Sequence, residues 1–125
     1  MRRSEFALRA AMATERRARF PLGRVSTTGS AFERLHALGL EPSDLIARHQ
    51  VGDWGDIDDA DLAMNEESLS EEQRFFSAYE IETERVCVLT SADRSNTLVF
   101  LPGDSTPDPP PVRRSLKRRS DAKQI

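Results

Sequence analysis

Hydrophobic positions recur at helical spacing in the first half of the chain. After residue 30 they lie three or four positions apart, and residues that favour helix starts and stops stand at the ends of each run. This spacing is typical of amphipathic helices with one apolar face. It predicts three helices, at about residues 31–38, at residues 42–50, and through about Leu69. The third helix has Asp56, Asp58 or Asp59 as its candidate cap.

From residue 75 onward the hydrophobic period changes to two. Apolar and polar residues alternate through three short runs, 75–81, 86–91 and 97–101, which polar turn residues separate. Consecutive strands joined by short turns form an antiparallel meander. A further short strand is predicted at residues 20–28. The predicted fold is therefore α+β: a short N-terminal strand, two to three helices, then a three-stranded antiparallel meander with the helices on one sheet face.

The two ends of the chain differ in composition from the body, which we place at residues 20–101 as one globular domain. Residues 1–19 hold six arginines, and their weak apolar face predicts a basic, partly helical arm with slight anchoring to the body. Met12 leaves open an alternative translation start. Residues 102–125 hold five prolines and six basic residues, and this composition predicts a disordered tail.

The formal net charge of −3 hides a strong partition between the body and the two ends. The body holds sixteen acidic residues and six arginines, whereas both ends are net positive. Basic segments bind nucleic-acid phosphates independently of sequence, and they also bind acidic protein surfaces. The simplest alternative is that both ends fold back loosely on the acidic body of their own chain. We therefore expect a protein partner, and nucleic acid is a second candidate partner through the basic ends.

The composition narrows the class of protein further. A chain of 125 residues predicts one domain, and a single cysteine, Cys87, excludes an intramolecular disulfide. No apolar run approaches the roughly 20 residues that cross a bilayer, and no secretory signal follows the N-terminus. We therefore expect a cytoplasmic protein without a membrane partner. Glycine-rich phosphate loops, Cys-x-x-Cys pairs and Gly-x-Ser-x-Gly elbows are all missing, so we expect no cofactor.

The segment from His49 to Asp56 concentrates chemically capable side chains around two glycines and the only tryptophan. His49 follows Leu45 by four residues, so it lies on the apolar face of its predicted helix. An imidazole in that place suits acid–base catalysis, metal ligation or a fixed hydrogen bond. Trp54 is either a core anchor or a recognition residue. Asp53 and Asp56 are either metal ligands or caps of turns and of the next helix.

Nine acidic residues and no basic residue occupy the stretch from Asp53 to Glu72. The stretch fails the EF-hand pattern, because Ala60 and Asp61 stand where an oxygen ligand and a glycine are required. A solvated acidic face accounts for the charge most simply. A looser divalent-cation site on Asp53, Asp56 or Asp58 is a second interpretation. A mimic of nucleic-acid phosphates that occupies a basic cleft of another protein is a third.

A second polar cluster stands in the turn between the last two predicted strands. Arg94 is placed to bind an anion, with Asp93 orienting it, or both residues serve the turn itself. The complete set of candidate binding residues is His49, Gln50, Asp53, Trp54, Asp56, Tyr79, Asp93 and Arg94.

Several segments together resemble a family of small uncharacterised bacterial proteins of plasmids and mobile elements. The segments are Phe20-Pro-Leu-Gly-Arg-Val25, the run 47–56 with its His-Gln-x-Gly-Asp-Trp-Gly-Asp core, Asn65, 77–79, 90–97 and 101–102. The resemblance covers residues 20–102 and excludes both basic ends. It implies a plasmid, phage or integrated element as context and no established activity. Some members are labelled as restriction-modification subunits, but this chain has no methyltransferase motif.

Two functions of different classes follow from these features. The first is a non-enzymatic binding module that acts, through the acidic helix and the Trp54 corner (residues 49–56), on a nucleic-acid-handling protein of the host or the element. The alternative is a small divalent-metal-assisted hydrolase or nuclease. In that enzyme His49 is general base or ligand, Asp53 and Asp56 are metal ligands, and Arg94 steadies phosphate charge. Convergence of these side chains on one cleft would favour the enzyme, whereas a buried Trp54 and capping aspartates would favour the binding module.

Overall fold

The computed structural model of the protein describes residues 1–69 and 73–104. These residues form four helices and four strands, which confirms the predicted α+β class. In chain order the elements are α1 (Arg3–Ala13), β1 (Arg24–Thr27), α2 (Gly29–Ala37), α3 (Pro42–Gln50), α4 (Asp59–Ser68), β2 (Phe75–Ile81), β3 (Glu84–Thr90) and β4 (Asn96–Phe100). None of these helices is long and apolar enough to cross a bilayer. The predicted tail lies outside the described residues from residue 105 onward.

The sheet has four strands in the order β1-β4-β3-β2, not the three that were predicted. β2, β3 and β4 form the predicted antiparallel meander, but β1 adds to β4 in parallel, with Arg24 opposite Asn96 and Thr27 opposite Val99. The prediction of a three-stranded sheet was wrong because alternation within a strand does not specify its neighbours. Three helices separate β1 from β2 along the chain, so β1 can lie at either edge of the sheet that β2, β3 and β4 form.

Gly23 allows β1 to start beside the turn between β3 and β4. Its φ of +67° lies in the left-handed region, and a Cβ there would stand 2.3 Å from the main-chain carbon and oxygen of Ser95. The Arg24 N–H then donates to the Ser95 carbonyl at 2.9 Å. Gly23 is therefore the residue that lets β1 join the sheet.

The main hydrophobic core lies on one face of the sheet. The strands contribute Tyr79, Ile81, Val86, Val88 and Val99, and the helices and loops contribute Phe6, Ala31, Leu35, Leu40 and Leu45. The five strand residues point to the same face, because alternate positions and the cross-strand register place them together. This arrangement agrees with the predicted placement of helices on one sheet face.

The N-terminal helix α1 belongs to this core, in contrast with the slight anchoring expected from its weak apolar face. Phe6 is fully buried, and Ala10 and Ala13 are buried beside it. The Phe6 ring meets the Tyr79 ring edge to face, with 5.3 Å between the centroids, and the Arg48 guanidinium lies 4.6 Å above it. One ring anchors the helix because the two alanines let the helices approach closely and the ring fills the remaining space.

Candidate functional site

His49 lies in the last turn of α3, which directs its side chain onto the sheet. The side chain is fully buried, as its position on the apolar face of the helix predicts. Its Nδ1 lies 2.5 Å from Ser77 Oγ, and its Nε2 lies 2.9 Å from Thr90 Oγ1. One imidazole therefore connects the helix to two neighbouring strands.

The contacts of Thr97 determine which nitrogen of His49 carries the proton. Thr97 Oγ1 donates to the Leu22 carbonyl at 2.8 Å, because a carbonyl only accepts. Thr90 Oγ1 then donates to Thr97 Oγ1, 2.7 Å away, and accepts from His49 Nε2. Nδ1 is left to accept from the Ser77 hydroxyl. A single neutral tautomer satisfies the whole chain of hydrogen bonds.

Aromatic rings close the space around this imidazole. Phe20 and Trp54 contact it edge to face, at 5.3 and 5.7 Å between ring centroids, and Phe75 stacks on both of them. Burial lowers the pKa of His49 from 6.5 to about 3, because desolvation penalises the imidazolium. His49 is therefore a neutral link between α3 and the sheet, with no exposed surface.

Asp53 pairs with Arg48, the residue of α3 that precedes His49. Nε and Nη2 of Arg48 donate to the two carboxylate oxygens at 2.7 and 2.9 Å, a bidentate pair. Arg48 is almost fully buried between the rings of Phe6 and Tyr79. The Tyr79 hydroxyl donates to the Asp53 carbonyl at 2.6 Å, and burial raises the pKa of this phenol. Asp53 thus neutralises a buried cation, which would be costly to leave unpaired.

Trp54 and Asp56 cover the free edge of β2. The Ala78 N–H donates to the Trp54 carbonyl at 3.2 Å, and the Asp56 N–H donates to the Ala78 carbonyl at 2.6 Å, so the segment forms a parallel bridge with β2. Asp56 Oδ2 also accepts from the Glu80 N–H at 2.9 Å. Free main-chain groups on an edge strand invite pairing with another chain, and these contacts occupy them.

Asn65 of α4 continues this cover along β2. Its Nδ2 donates to the Phe76 carbonyl at 2.6 Å, and its Oδ1 accepts from the Phe76 N–H at 2.8 Å. The side-chain amide therefore takes the place of a strand partner. Helical spacing does not reveal this role.

Trp54 joins the β2 edge to α4. Its indole is 5 % exposed and packs with Phe20 and Phe75. The indole Nε1–H donates to Glu66 Oε2 at 3.1 Å, so the polar end of the ring reaches the surface of α4. Gln50 Nε2 donates to the Phe20 carbonyl at 3.1 Å and fixes the same aromatic cluster from α3. Both candidates therefore act in packing, and Trp54 also positions an acidic side chain.

Arg94 lies in the turn between β3 and β4, with φ of +62°. Its guanidinium donates at 2.5–2.9 Å to main-chain carbonyls of three residues, Ser68, Gln73 and Ala92. It also lies 4.4 Å from the centroid of the Phe75 ring. This arginine thereby holds the end of α4 against the turn.

Asp93, beside Arg94, serves the turn through its carboxylate. Its Oδ1 accepts from the Ser95 and Ser91 hydroxyls at 2.6 and 2.8 Å and from the Ser95 N–H at 3.0 Å. These hydrogen bonds lower the pKa of Asp93 to about 2, with the Ser95 hydroxyl as the largest cause. The contacts are those of a turn-forming aspartate.

The candidate residues fall into two groups with different surroundings. One group meets at the corner of α3 and β2: His49, Gln50, Asp53, Trp54, Asp56 and Tyr79. The other group, Asp93 and Arg94, lies in the β3–β4 turn. Within residues 1–69 and 73–104, no group of three or more His, Cys, Asp or Glu side chains is placed to hold a metal ion.

Comparison with known proteins gives no related protein for this site. No family model matches the chain, and neither a curated protein nor a solved structure matches it. The resemblance to mobile-element proteins therefore stays a prediction that depends on the residues quoted for it.

Proposed function

We propose that this protein is a non-enzymatic binding module that uses the outward face of α4 and the adjoining Trp54 corner. The observation that carries the proposal is an apolar stripe within an acidic surface. Asp59, Leu62, Ala63 and Glu66 share one helix face and are all exposed, with Leu62 at 43 %. The carboxylates favour a basic partner, and the leucine adds an apolar contact at the centre.

Two contacts order this surface before a partner arrives. Asp58 caps α4 by accepting from the Asp61 N–H at 2.8 Å. The Trp54 indole holds the Glu66 carboxylate at the other end of the stripe. Side chains that are already ordered lose less entropy on binding, so this arrangement supports a role in recognition.

The partner that we propose is a nucleic-acid-handling protein of the host or of a plasmid, phage or integrated element. Arginine clusters that bind phosphate also bind carboxylates in the same bidentate geometry. The stretch 53–72 supplies nine acidic residues and no basic one. Carboxylates along α4 would occupy the positions of phosphates in such a cleft.

The alternative of a metal-assisted hydrolase or nuclease has less support. A general base has to reach the proton that it abstracts, and His49 has no exposed surface. The Asp53 carboxylate binds Arg48, and the Asp56 carboxylate binds the β2 edge. A calorimetric titration with Mg²⁺ or Mn²⁺ that shows binding in the wild type and none in His49→Ala would favour the enzyme again.

A pair of matched double variants of the full chain tests the binding surface. Asp59→Lys with Leu62→Ser alters α4, whereas Glu33→Lys with Phe32→Ser makes the same kinds of change on α2, where Phe32 is 54 % exposed. Proteins captured from bacterial lysate by the tagged wild type are identified, purified and titrated against all three chains. We expect the α4 variant to lose at least about tenfold in affinity, or about 1.4 kcal/mol, and the α2 variant to bind as the wild type does.

Three results would contradict the proposal. Equal binding by the wild type and the α4 variant, with both folded by circular dichroism, would remove α4 as the surface. A partner whose binding does not weaken with added salt would remove the proposed electrostatic recognition. Failure to capture any nucleic-acid-handling protein from hosts that carry the chain would remove the proposed partner class.

A further inference from the structure

The second face of the sheet carries a continuous apolar patch. Side chains that point away from the core alternate with the core residues along β2, β3 and β4. The cross-strand register places them in two adjacent rows. The patch, here named the outer sheet face, consists of Phe76, Leu89 and Leu98 in one row and Ala78, Cys87 and Phe100 in the next.

The outer sheet face contributes to neither hydrophobic core cluster. Phe76, Leu98 and Phe100 are half-buried, and the other three residues are buried between them. α4 follows the edge of β2, where Asn65 holds the main chain of Phe76. In the described part of the chain, no helix adds a residue to a cluster on this face. A sheet normally buries an apolar face against another layer, and on this face Phe76, Leu98 and Phe100 keep part of their surface accessible for such a layer.

Opposite charges stand at the two ends of β2 beside this patch. Arg74 precedes Phe76 by two residues, and its guanidinium lies 5.4 Å from the centroid of the Phe76 ring. Glu80 follows Ala78 by two residues, and its side chain is 59 % exposed although it pairs with Arg85 at 2.7 Å. One face of β2 therefore carries a cation, two apolar side chains and an anion in that order.

We propose that a second copy of this chain packs on the outer sheet face. A two-fold axis perpendicular to the strands lays β2 of one copy over β2 of the other in the opposite direction. Arg74 of each copy then faces Glu80 of the other, and the leucines and phenylalanines fill the space between the two sheets. A two-fold interface requires a patch that is complementary to itself, and the order of charges along β2 meets this requirement.

The chemistry of the patch argues against other occupants. The chain segment 105–125 has only three large apolar residues, Val112, Leu116 and Ile125, and its six basic residues outnumber its two acidic ones. A basic segment gains little from a surface bordered by an arginine and a Glu–Arg pair. A nucleic acid requires cations across its contact surface, and all six residues of the patch are apolar.

The size of the sheet limits the strength of this association. The three strands of the patch, about 4.8 Å apart and about six residues long at about 3.3 Å per residue, present about 300 Å² per copy. A stable complex buries about 800 Å² per partner. We therefore expect a weak dimer, with a dissociation constant of about 1 µM to 1 mM.

Sedimentation equilibrium of the full chain, at concentrations up to about 1 mM, tests the proposal. We expect the average mass to rise from the 14.1 kDa of the monomer toward twice that value. Leu98→Lys places a charge within the patch, on β4, and should raise the dissociation constant at least about tenfold, since the ammonium would be desolvated. Val25→Lys is the matched control, because Val25 is a 46 % exposed strand residue whose register with Thr97 places it on the opposite face.

A charge exchange tests the orientation of the two copies. Glu80→Arg should weaken dimerisation, and the addition of Arg74→Glu should restore much of the loss, because opposite charges face each other again. If circular dichroism shows that Leu98→Lys does not fold, Phe100→Ser takes its place. A chain that stays monomeric at the highest concentration overturns the proposal. A dimer that the patch variant leaves unchanged, that Val25→Lys weakens equally, or that the charge exchange does not restore also overturns it.

Discussion

At the scale of single residues, His49 has the hydrogen-bonding capacity of a catalytic imidazole, but in this protein that capacity satisfies polar groups in the core. A neutral imidazole offers one donor and one acceptor, and the Thr90 and Ser77 hydroxyls engage both. An apolar side chain at this position would leave buried hydroxyls without one of their partners, which costs free energy. A histidine on the apolar face of a helix therefore indicates a hydrogen-bonding requirement before it indicates an active site.

The burial of His49 should make the stability of the protein depend on pH. The pKa of this imidazole is about 3 in the folded protein and 6.5 without the burial. Below pH 6.5 the unfolded chain binds a proton that the folded chain does not bind. The free energy of unfolding should therefore fall as the pH falls, by up to about 1.4 kcal/mol per pH unit, from pH 6.5 down to about pH 3. Above pH 6.5 this group adds no pH dependence.

Urea unfolding from about pH 7.5 to about pH 5 measures this effect. His49→Gln removes the titrating group, so its stability should change less with pH than that of the wild type. His36→Gln makes the same change at the exposed histidine of α2 and is the matched control. Equal slopes for the wild type and His49→Gln would show that the buried imidazole is not the cause.

At the scale of elements, the end of the 49–56 motif covers the outer edge of the sheet along β2. The segment 54–56 pairs with Ala78, and Asn65 of α4 pairs with Phe76. Asp56 takes the next outward N–H, that of Glu80. β2 is therefore an edge strand whose outward main-chain groups are occupied over these residues, and Gly55 and Asp56 of the motif serve that purpose.

Gly55→Ala should destabilise the protein through this cover. A Cβ at Gly55 would lie 2.4 Å from the Ala78 carbonyl oxygen, and the φ of +78° disfavours any side chain. We expect a loss of about 3 kcal/mol in chemical denaturation, because both strain and the displacement of the bridge contribute. Gly39→Ala is the matched control, since Gly39 has a φ of +75° and no heavy atom within 4 Å of the added Cβ. There we expect about 1 kcal/mol, and similar losses at the two glycines would contradict the role of the bridge.

At the scale of the whole molecule, the first residues belong to the folded body. The Met1 amino group donates to the Glu80 carbonyl at 3.2 Å, and the Glu82 N–H donates to the Met1 carbonyl at 2.7 Å. The first residue thus extends the cover of β2, while Phe6 enters the main core. A chain that started at Met12 would lack both contributions.

Phe6→Ala should lower the free energy of unfolding by about 3–5 kcal/mol, because it leaves a cavity between the Arg48 guanidinium and the Tyr79 ring. Leu8→Ala on the same helix is the control, since Leu8 is 62 % exposed and its loss should change stability by less than about 0.5 kcal/mol. Urea unfolding of both variants measures the two changes in the free energy of unfolding. If they unfold at the same urea concentration, α1 is not anchored through Phe6.

The two proposed interaction surfaces lie on either side of the β2 edge. The acidic face of α4 points outward from the edge, and the outer sheet face begins at Phe76. Arg74 connects them, since its Nη2 donates to Asp61 Oδ1 at 2.7 Å while its guanidinium lies over the Phe76 ring. The proposed partner on α4 and the proposed second copy on the sheet would therefore use different surfaces of one molecule.

The sequence by itself determined the features that depend on neighbours along the chain. The predicted helix 42–50 and strand 75–81 coincide with α3 and β2. Hydrophobic period, helix caps and turn residues act within a few positions, so they specify these elements and the α+β class. The inward direction of His49 follows in the same way from its spacing to Leu45.

Only the tertiary structure decided what each polar residue does and where β1 lies. Asp53 pairs with Arg48 rather than with a metal, Asn65 replaces a strand, and β1 joins β4 across most of the chain. A carboxylate or an amide takes its role from whichever donor or acceptor the fold brings within about 3 Å. That distance is set by the packing of segments far apart in sequence, and no local pattern encodes it.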